Sequence, residues 1–243
     1  MTEAGIMLSE VPFSNLPVIL KKGGMDFFIL DSEHGGFDYS DISKIIMTSR
    51  LAGLKCIVRL ADNTRKDITK FMDMGADGLL LPMTNTAADI EKVVEYAKYA
   101  PLGRRGLSTM RAHTLYDPPK LLDYMKAANE ATEIYAQIET AAGVENVVEI
   151  LSVEGVSGVL TGPNDLSCDF GCLADNHAPQ ILSSIEKTAF EAVGRGKKSG
   201  IITGNENYLA KGKECGMTMF CVGSELNLLK SGTASTVKRI KEI

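Results

Sequence analysis

The sequence predicts an α/β protein that folds as one (β/α)₈ TIM barrel spanning residues 1–243. Three observations indicate this fold. The 243 residues match the length of one barrel domain, and β-rich apolar runs alternate with amphipathic helical segments about eight times. Most of these runs are continuously apolar, as parallel strands buried on both faces are. A doubly wound open sheet is the alternative, weakened because no GxGxxG motif follows the first strand.

Eight strands and seven helices follow from this alternation. The predicted strands are Gly5–Leu8, Asp26–Ser32, Lys55–Leu60, Gly78–Pro82, Glu133–Glu139, Gly158–Gly162, Gly200–Gly204 and Thr218–Gly223. The predicted helices are Asp38–Ala52, Arg65–Met74, Ala87–Tyr99, Ala141–Leu151, Ile181–Lys198, Tyr208–Glu214 and Ser224–Ile243. Gly24, Gly53, Gly75 and Gly216 lie where helices would end, as glycines at helix C-caps do.

Composition and charge restrict the function classes. The formal net charge is −5, and no basic stripe is present to neutralise phosphates, which argues against a nucleic-acid partner. No apolar run is long enough to cross a bilayer, and the N-terminus lacks the features of a signal peptide. The five cysteines are scattered and are interpreted as reduced thiols. We therefore expect a cytoplasmic protein without a membrane or nucleic-acid partner.

Polar residues collect at the predicted carboxyl ends of four strands, where the chemistry of such barrels lies. Gln137 and Glu139 are two residues apart and share one strand face, while Ile138 points the other way. Asp165 follows the next strand after a Gly-Pro turn. Because neighbouring strands are about 4.8 Å apart, two such carboxylates can share one hard cation. The sequence thus predicts a divalent metal site. The alternative is that neither residue binds a ligand: Glu139 would cap a helix and Asp165 would end a turn.

Two further strand ends carry ionisable groups. Asp31 and His34 follow the second strand, and a histidine near carboxylates can be held in one tautomer as an acid or base. Arg59 ends an apolar strand, where its burial requires an anionic partner. That partner is either Asp31 or a substrate oxyanion, and a fixed cation beside a developing enolate would accelerate the reaction. The alternative for His34 is an ordinary loop histidine, and the alternative for Arg59 is a structural salt bridge inside the barrel.

Six stretches resemble the HpcH/HpaI-type class II 2-keto-acid aldolases of the wider phosphoenolpyruvate/pyruvate barrel superfamily. They are FFILDSEHG (27–35), IVRLADN (57–63), MGADGLLLPM (74–83), GRRGLS (103–108), AQIET (136–140) and LTGPNDLSCDFG (160–171). Because these motifs occur in the family's order over about residues 5–229, the resemblance is far more specific than a single short pattern.

The resemblance implies a role for each candidate residue. Glu139 and Asp165 would bind the metal, which would be Mg²⁺, Mn²⁺ or Co²⁺. Arg59 would stabilise the enolate, and His34 with Asp31 would act through water as acid and base. Gln137 would hydrogen-bond near the water shell of the metal. Backbone groups of Gly162, Pro163 and Asn164 would hold the substrate carboxylate. The predicted reaction is cleavage of a 4-hydroxy-2-keto acid to pyruvate and an aldehyde.

Alternatives of two kinds stay open on the sequence. Oxaloacetate decarboxylation or another reaction of the pyruvate enolate would use the same site, and a non-catalytic keto-acid-binding barrel is the third possibility. No lysine lies beside the candidate residues, which disfavours a Schiff-base aldolase. The resemblance also implies a homo-oligomer, a hexamer, in which the helix at 224–243 is exchanged between subunits. Arg111 and His113, in the long loop Pro101–Pro119, are candidates for contacting a distal substrate carboxylate.

Overall fold

The computed structural model describes residues 1–173 and 175–243 as a closed barrel of eight parallel strands in sequence order. The strands are β1 (Glu3–Leu8), β2 (Phe27–Asp31), β3 (Lys55–Arg59), β4 (Gly78–Leu81), β5 (Glu133–Ile138), β6 (Gly158–Thr161), β7 (Lys198–Ile202) and β8 (Met219–Ser224). The helices are α1 (Leu16–Lys22), α2 (Tyr39–Ala52), α3 (Arg65–Met74), α4 (Ala87–Ala97), α5 (Leu121–Ala131), α6 (Ala141–Glu145), α7 (Val147–Ser152), α8 (Pro163–Asp169), α9 (Pro179–Gly194), α10 (Glu206–Glu214) and α11 (Glu225–Lys241). The predicted barrel fold is confirmed.

Several element boundaries differ from the prediction. The helix expected over 141–151 is two helices that meet at Asn146, and α1, α5 and α8 were not predicted. β7 starts two residues before the predicted strand, because Lys198 and Ser199 belong to it despite their polarity. The helix before β7 ends earlier than predicted, and Gly196 follows it with φ +65°, a left-handed conformation that stops the helix.

Side chains fill the barrel lumen in layers, so the barrel is a packed core and not a pore. Phe27, Ile57, Leu80 and Tyr135 are among the fully buried residues of this inner cluster. The large rings need space from glycine: a Cβ on Gly5 would lie 2.4 Å from the ring of Phe27. The second apolar layer lies between the strands and the surrounding helices.

Four charged residues from alternate strands close the amino-terminal end of the lumen. Nζ of Lys55 lies 3.2 Å from Glu3 and 3.0 Å from Glu133, while Nζ of Lys198 lies 3.0 Å from Glu3 and 2.8 Å from Glu133. The hydroxyl of Tyr135 in the layer above also donates to Glu133, at 2.8 Å. Each lysine therefore lies between two carboxylates, which satisfies charges that would otherwise be costly to enclose.

The long loop Pro101–Pro119 lies at this same amino-terminal end of the barrel. Arg50, near the end of α2, donates to the carbonyl of His113 at 2.9 Å. The buried His113 ring stacks on Tyr124 of α5, and its Nε2 lies 3.0 Å from the carbonyl of Ser108. Arg111 donates to the Ser108 hydroxyl. The expectation that Arg111 and His113 reach the substrate is therefore wrong within one chain, because the loop follows the end of α4 and precedes α5 and β5, on the side of the barrel opposite the carboxyl ends of the strands.

We also compared the helices with the length and apolarity that a membrane crossing demands. Within residues 1–173 and 175–243, no helix meets both requirements.

Candidate active site

Glu139 lies at the carboxyl end of β5, with its side chain only 2% exposed. Its Oε1 accepts a hydrogen bond from the backbone N–H of Met83 at 2.6 Å, and its Oε2 accepts one from Nε2 of Gln137 at 2.5 Å. Gln137 and Glu139 therefore share a face of the strand, as the two-residue spacing predicts. The carboxylate is held in a fixed orientation by one group on its own strand and one on the neighbouring strand.

Two backbone features shape the pocket around this carboxylate. Met83, just after β4, has φ +48°, a left-handed conformation that is uncommon for a residue with a side chain. This conformation accompanies the N–H donation to Glu139. On the other side, a Cβ at Gly162 would lie 2.8 Å from Oε2 of Glu139 and 3.1 Å from Nε2 of Gln137. Only glycine at position 162 leaves Glu139 its observed place.

Burial raises the pKa of Glu139 to about 7. The Met83 N–H and the charge of Arg59 oppose this rise, whereas the negative charges of Asp165 and Glu33 add to it. Asp165 lies in the first turn of α8, directly after β6. Since Asp165 disfavours a second negative charge on Glu139, the two carboxylates act on each other across adjoining strands. A bound cation would relieve this repulsion.

Arg59 ends β3 and is held by two acids, Asp31 at the end of β2 and Glu33 just after it. Its Nε donates to Oδ1 of Asp31 at 2.9 Å and one NH₂ group donates to Oδ2 at 2.6 Å. The other NH₂ group lies 3.3 Å from Oε2 of Glu33. Burial works against ionisation of Asp31, but the hydrogen bond and charge of Arg59 outweigh it and lower the Asp31 pKa. Of the two partners left open for Arg59 by the sequence, the structure has Asp31.

The expected pairing of the His34 ring with Asp31 differs from the observed contacts. Asp31 accepts from the backbone N–H groups of Glu33 and His34, at 3.0 and 3.3 Å, and its carboxylate is otherwise engaged by Arg59. The imidazole Nε2 of His34 instead lies 3.7 Å from Oε2 of Glu33, and the side chain is 74% exposed. Asp31 therefore fixes the loop that carries His34, and Glu33 is the acid beside the ring.

The segment Gly162–Asn164 offers fewer backbone donors than the resemblance implies. The N–H of Gly162 donates to the carbonyl of Ile138 at 2.9 Å, and Pro163 has no N–H. Of these three residues, Asn164 alone keeps a backbone N–H that can meet a carboxylate. Gly162 provides space beside Glu139, and Pro163 starts α8.

The donor set around Glu139 fits a hard divalent cation. Among the residues that the structure describes, no group of three or more histidine, cysteine or acidic side chains is arranged to hold a metal. Proteins usually bind Mg²⁺ through one or two carboxylates and leave the remaining coordination positions to water and substrate. The buried Oε1 of Gln137 has no hydrogen-bond partner in the described part of the chain. This oxygen, next to Glu139, can therefore accept a hydrogen bond from a water molecule bound to an ion.

Three contributions to the site were not predicted from the sequence: the contact of Glu33 with Arg59, the Met83 N–H donation, and the space that Gly162 leaves beside Glu139. Glu33 lies inside the quoted segment 27–35, and its position directly after a strand end beside His34 was the available signal. The N–H of Met83 and the missing side chain of Gly162 had no such signal, because they act through backbone geometry. The rim carries four acids and one arginine, Arg59, and therefore has an excess of negative charge. The acids are Asp31, Glu33, Glu139 and Asp165.

Comparison with known proteins places these residues in context. Residues 15–231 match the sequence profile of the HpcH/HpaI aldolase/citrate lyase family. A similar curated relative is 5-keto-4-deoxy-D-glucarate aldolase of Escherichia coli O6:H1, which is 30% identical over 224 residues, covering 92% of this chain and 87% of the relative.

Solved structures agree with that match. The HpcH/HpaI aldolase from Desulfitobacterium hafniense DCB-2 superposes with a TM-score of 0.93 at 30% identity, over 100% of this chain and 93% of the other. Citrate synthase SbnG superposes with a TM-score of 0.86 at 26% identity, over 99% of this chain and 94% of the other.

Proposed function

This chain belongs to the HpcH/HpaI aldolase/citrate lyase family, and from that membership we propose that it reversibly cleaves a 4-hydroxy-2-keto acid to pyruvate and an aldehyde. Its enzyme class is that of a metal-dependent carbon–carbon lyase. The observation that carries the reaction is the buried carboxylate of Glu139, fixed at the barrel rim beside Asp165 and Arg59. The excess negative charge there suits a cation that binds the keto acid.

Glu139 and Asp165 are the residues that would hold this cation. Carboxylate oxygens suit Mg²⁺, Mn²⁺ and Co²⁺, and discriminate weakly among them. When bound, such an ion polarises the carbonyl of the keto acid as a Lewis acid. Gln137 orients Glu139 through its amide, and the Asn164 N–H would meet the substrate carboxylate.

Arg59 and His34 have separate tasks in the proposed cleavage. Asp31 and Glu33 engage three of the five N–H groups of Arg59, which leaves two to hydrogen-bond the enolate oxygen. The guanidinium is thereby fixed before the charge develops, which is where electrostatic stabilisation is most effective. His34, exposed at the mouth and next to Glu33, would take the proton of the C4 hydroxyl as the C3–C4 bond breaks.

The proposed function is tested by incubating the purified protein with a panel of 4-hydroxy-2-keto acids and with oxaloacetate. We expect pyruvate and an aldehyde from the hydroxy acids, loss of this activity in EDTA, and recovery on adding Mg²⁺, Mn²⁺ or Co²⁺, because metal supplies several kcal/mol of the barrier reduction. Pyruvate release is followed with a coupled dehydrogenase.

Each other result of this assay has a defined meaning. Full cleavage in EDTA would contradict the metal-dependent mechanism. Turnover of oxaloacetate alone would assign decarboxylation in its place, and binding of keto acid without turnover of any substrate would assign a non-catalytic barrel.

We propose further that the chain forms a homo-oligomer, a hexamer, in which α11 of one subunit packs on another. After the buried Glu225, the residues of α11 are exposed, including the apolar Leu228, Leu229 and Ile240. Leu228 and Leu229 face Phe13 and Ile19 across an apolar groove of about 710 Å³. Exposed apolar surface of this extent marks a contact surface, and the matching occupant is the α11 of a second copy.

Leu228→Glu is expected to convert the oligomer to smaller species, since a buried unpaired carboxylate at the interface costs several kcal/mol. Size-exclusion chromatography with light scattering measures the mass directly. Lys230→Glu, on the same helix but outside the groove, serves as the control and should keep the wild-type mass. A wild-type protein that is monomeric at micromolar concentration would contradict the proposal.

A cytoplasmic location is also proposed. All five cysteines are free thiols in the structure, which suits a reducing compartment.

A further inference from the structure

Glu225, the first residue of α11, fastens the loop that follows β1. The residue is 3% exposed, and its Oε1 accepts hydrogen bonds from three successive backbone N–H groups, those of Ser9 at 2.9 Å, Glu10 at 2.6 Å and Val11 at 3.1 Å. Hydrogen bonds to a carboxylate are stronger than those between neutral groups. The loop over residues 9–11 is therefore fixed to the start of the C-terminal helix.

This first loop in turn supports the loop that follows β2. The carbonyl of Ser9 accepts from the N–H of Gly36 at 2.8 Å. A Cβ on Gly35 would lie 2.1 Å from the carbonyl oxygen of Asp31 and 3.0 Å from that of Ser9, so the two loops are in close contact. Gly35 directly follows His34.

A continuous series of contacts thus leads from α11 to the backbone that carries His34. Glu225 holds the Ser9 segment, the Ser9 carbonyl holds Gly36, and Asp31 holds the N–H of His34 from the other side. The His34 side chain itself is largely exposed, and within the described residues its one ionic contact is with Glu33. Its position consequently depends on the backbone that carries it.

We propose that Glu225 is a positioning residue that sets the place of His34 at the mouth of the site, acting through Ser9 and Gly36. This inference rests on the proposed aldol cleavage with His34 as the base. The other oxygen of Glu225, Oε2, is buried without a hydrogen-bond partner in the described residues. Keeping such a group carries a cost, which the three N–H contacts of Oε1 offset.

Comparing two reactions at the same keto-acid site distinguishes a change in the position of His34 from a general loss of stability. In aldol cleavage the C4 hydroxyl loses its proton to His34, the C3–C4 bond breaks as C4 becomes an aldehyde, and the electron pair of that bond forms the enolate, which water then protonates at C3 to give pyruvate. In oxaloacetate decarboxylation the C3–C4 bond breaks to release CO₂, water protonates the same enolate at C3, and no hydroxyl proton is removed. A displaced His34 therefore slows the first reaction and not the second.

Glu225→Asp tests the reach of the carboxylate, because it keeps the charge but withdraws the oxygens by one methylene. We expect the kcat of aldol cleavage to fall by about 30-fold, as an ångström-scale misplacement does. The KM of the hydroxy keto acid and the kcat of oxaloacetate decarboxylation should change by less than about threefold, since their binding groups are untouched. Glu225→Gln keeps the reach and one carbonyl acceptor, so its cleavage rate should stay within about threefold of wild type.

Glu242→Asp, at the exposed end of the same helix, is the matched control and should resemble wild type in both reactions. Equal cleavage by Glu225→Asp and wild type would overturn the inference. So would equal losses in cleavage and decarboxylation, which indicate general loosening. If wild type cleaves no hydroxy keto acid, the proposed function fails and this inference with it; an active wild type with an indifferent Glu225→Asp variant refutes the positioning role alone.

Discussion

Replacing Glu139 by glutamine is expected to lower the kcat of aldol cleavage about a thousandfold, which corresponds to roughly 4 kcal/mol of transition-state stabilisation. The substitution removes one of the two carboxylates proposed to hold the cation. It should leave the fold intact, because the Gln137 amide can turn and accept a hydrogen bond from the new NH₂ group. The Met83 N–H keeps an acceptor in the new carbonyl oxygen.

The measurement combines steady-state cleavage with titration of Mn²⁺ followed by electron paramagnetic resonance. Glu145→Gln is the matched control, because Glu145 is exposed on the neighbouring α6. It should bind Mn²⁺ and turn over like wild type. A Glu139→Gln variant that binds Mn²⁺ as tightly as wild type would show that the cation is held elsewhere.

The raised pKa of Glu139 predicts strong competition between protons and metal. Below its pKa of about 7 the carboxyl is protonated, so the apparent affinity for a divalent cation should fall about tenfold per pH unit, or about 100-fold at pH 5. Mn²⁺ titrations between pH 5 and 8 measure this slope. An affinity that is constant over this range would contradict the assignment.

The same carboxyl affects the stability of the metal-free protein with a defined sign. Between the ordinary glutamate value of 4.5 and about 7, the folded chain keeps a proton on Glu139 that the unfolded chain has lost. The free energy of unfolding in EDTA should therefore decrease as pH rises through this window, by up to about 3 kcal/mol. Urea unfolding of wild type and of Glu139→Gln gives this contribution by difference, because the variant lacks the titrating group.

The fold was predictable from the sequence because its strands are apolar runs with clear ends. β2, β3 and β5 appear within one residue of their predicted limits. β7 was displaced because Lys198 and Ser199 look unlike a buried strand. The polarity of Lys198 makes sense only in three dimensions, where Glu3 and Glu133 surround it. Such a partner from a distant strand leaves no local pattern.

The candidate site was predictable where side chains end strands, and less so where the backbone decides. Glu139, Arg59 and Gln137 followed from their positions on strands, and the observed Glu139–Gln137 and Arg59–Asp31 contacts agree with their placement. The orientation of His34 toward Glu33 depends on a turn closed by Asp31, which residue types alone do not specify. The loop that carries His113 could have been placed correctly, because it follows the helix after β4 and precedes β5, and segments that approach a strand lie at the amino-terminal end of the barrel.

The charged layer at the base of the barrel has a consequence for how substrates bind and products leave. It consists of Glu3, Lys55, Glu133 and Lys198. With ion pairs closing the base of the barrel and the buried rings of Phe27 and Tyr135 among the side chains that fill the lumen, the site opens to solvent at the carboxyl-terminal rim. On the proposed function, a keto acid bound beside Glu139 would lie deeper in the barrel than the aldehyde. We therefore expect pyruvate to bind before the aldehyde in the condensation direction, and the aldehyde to leave first in cleavage.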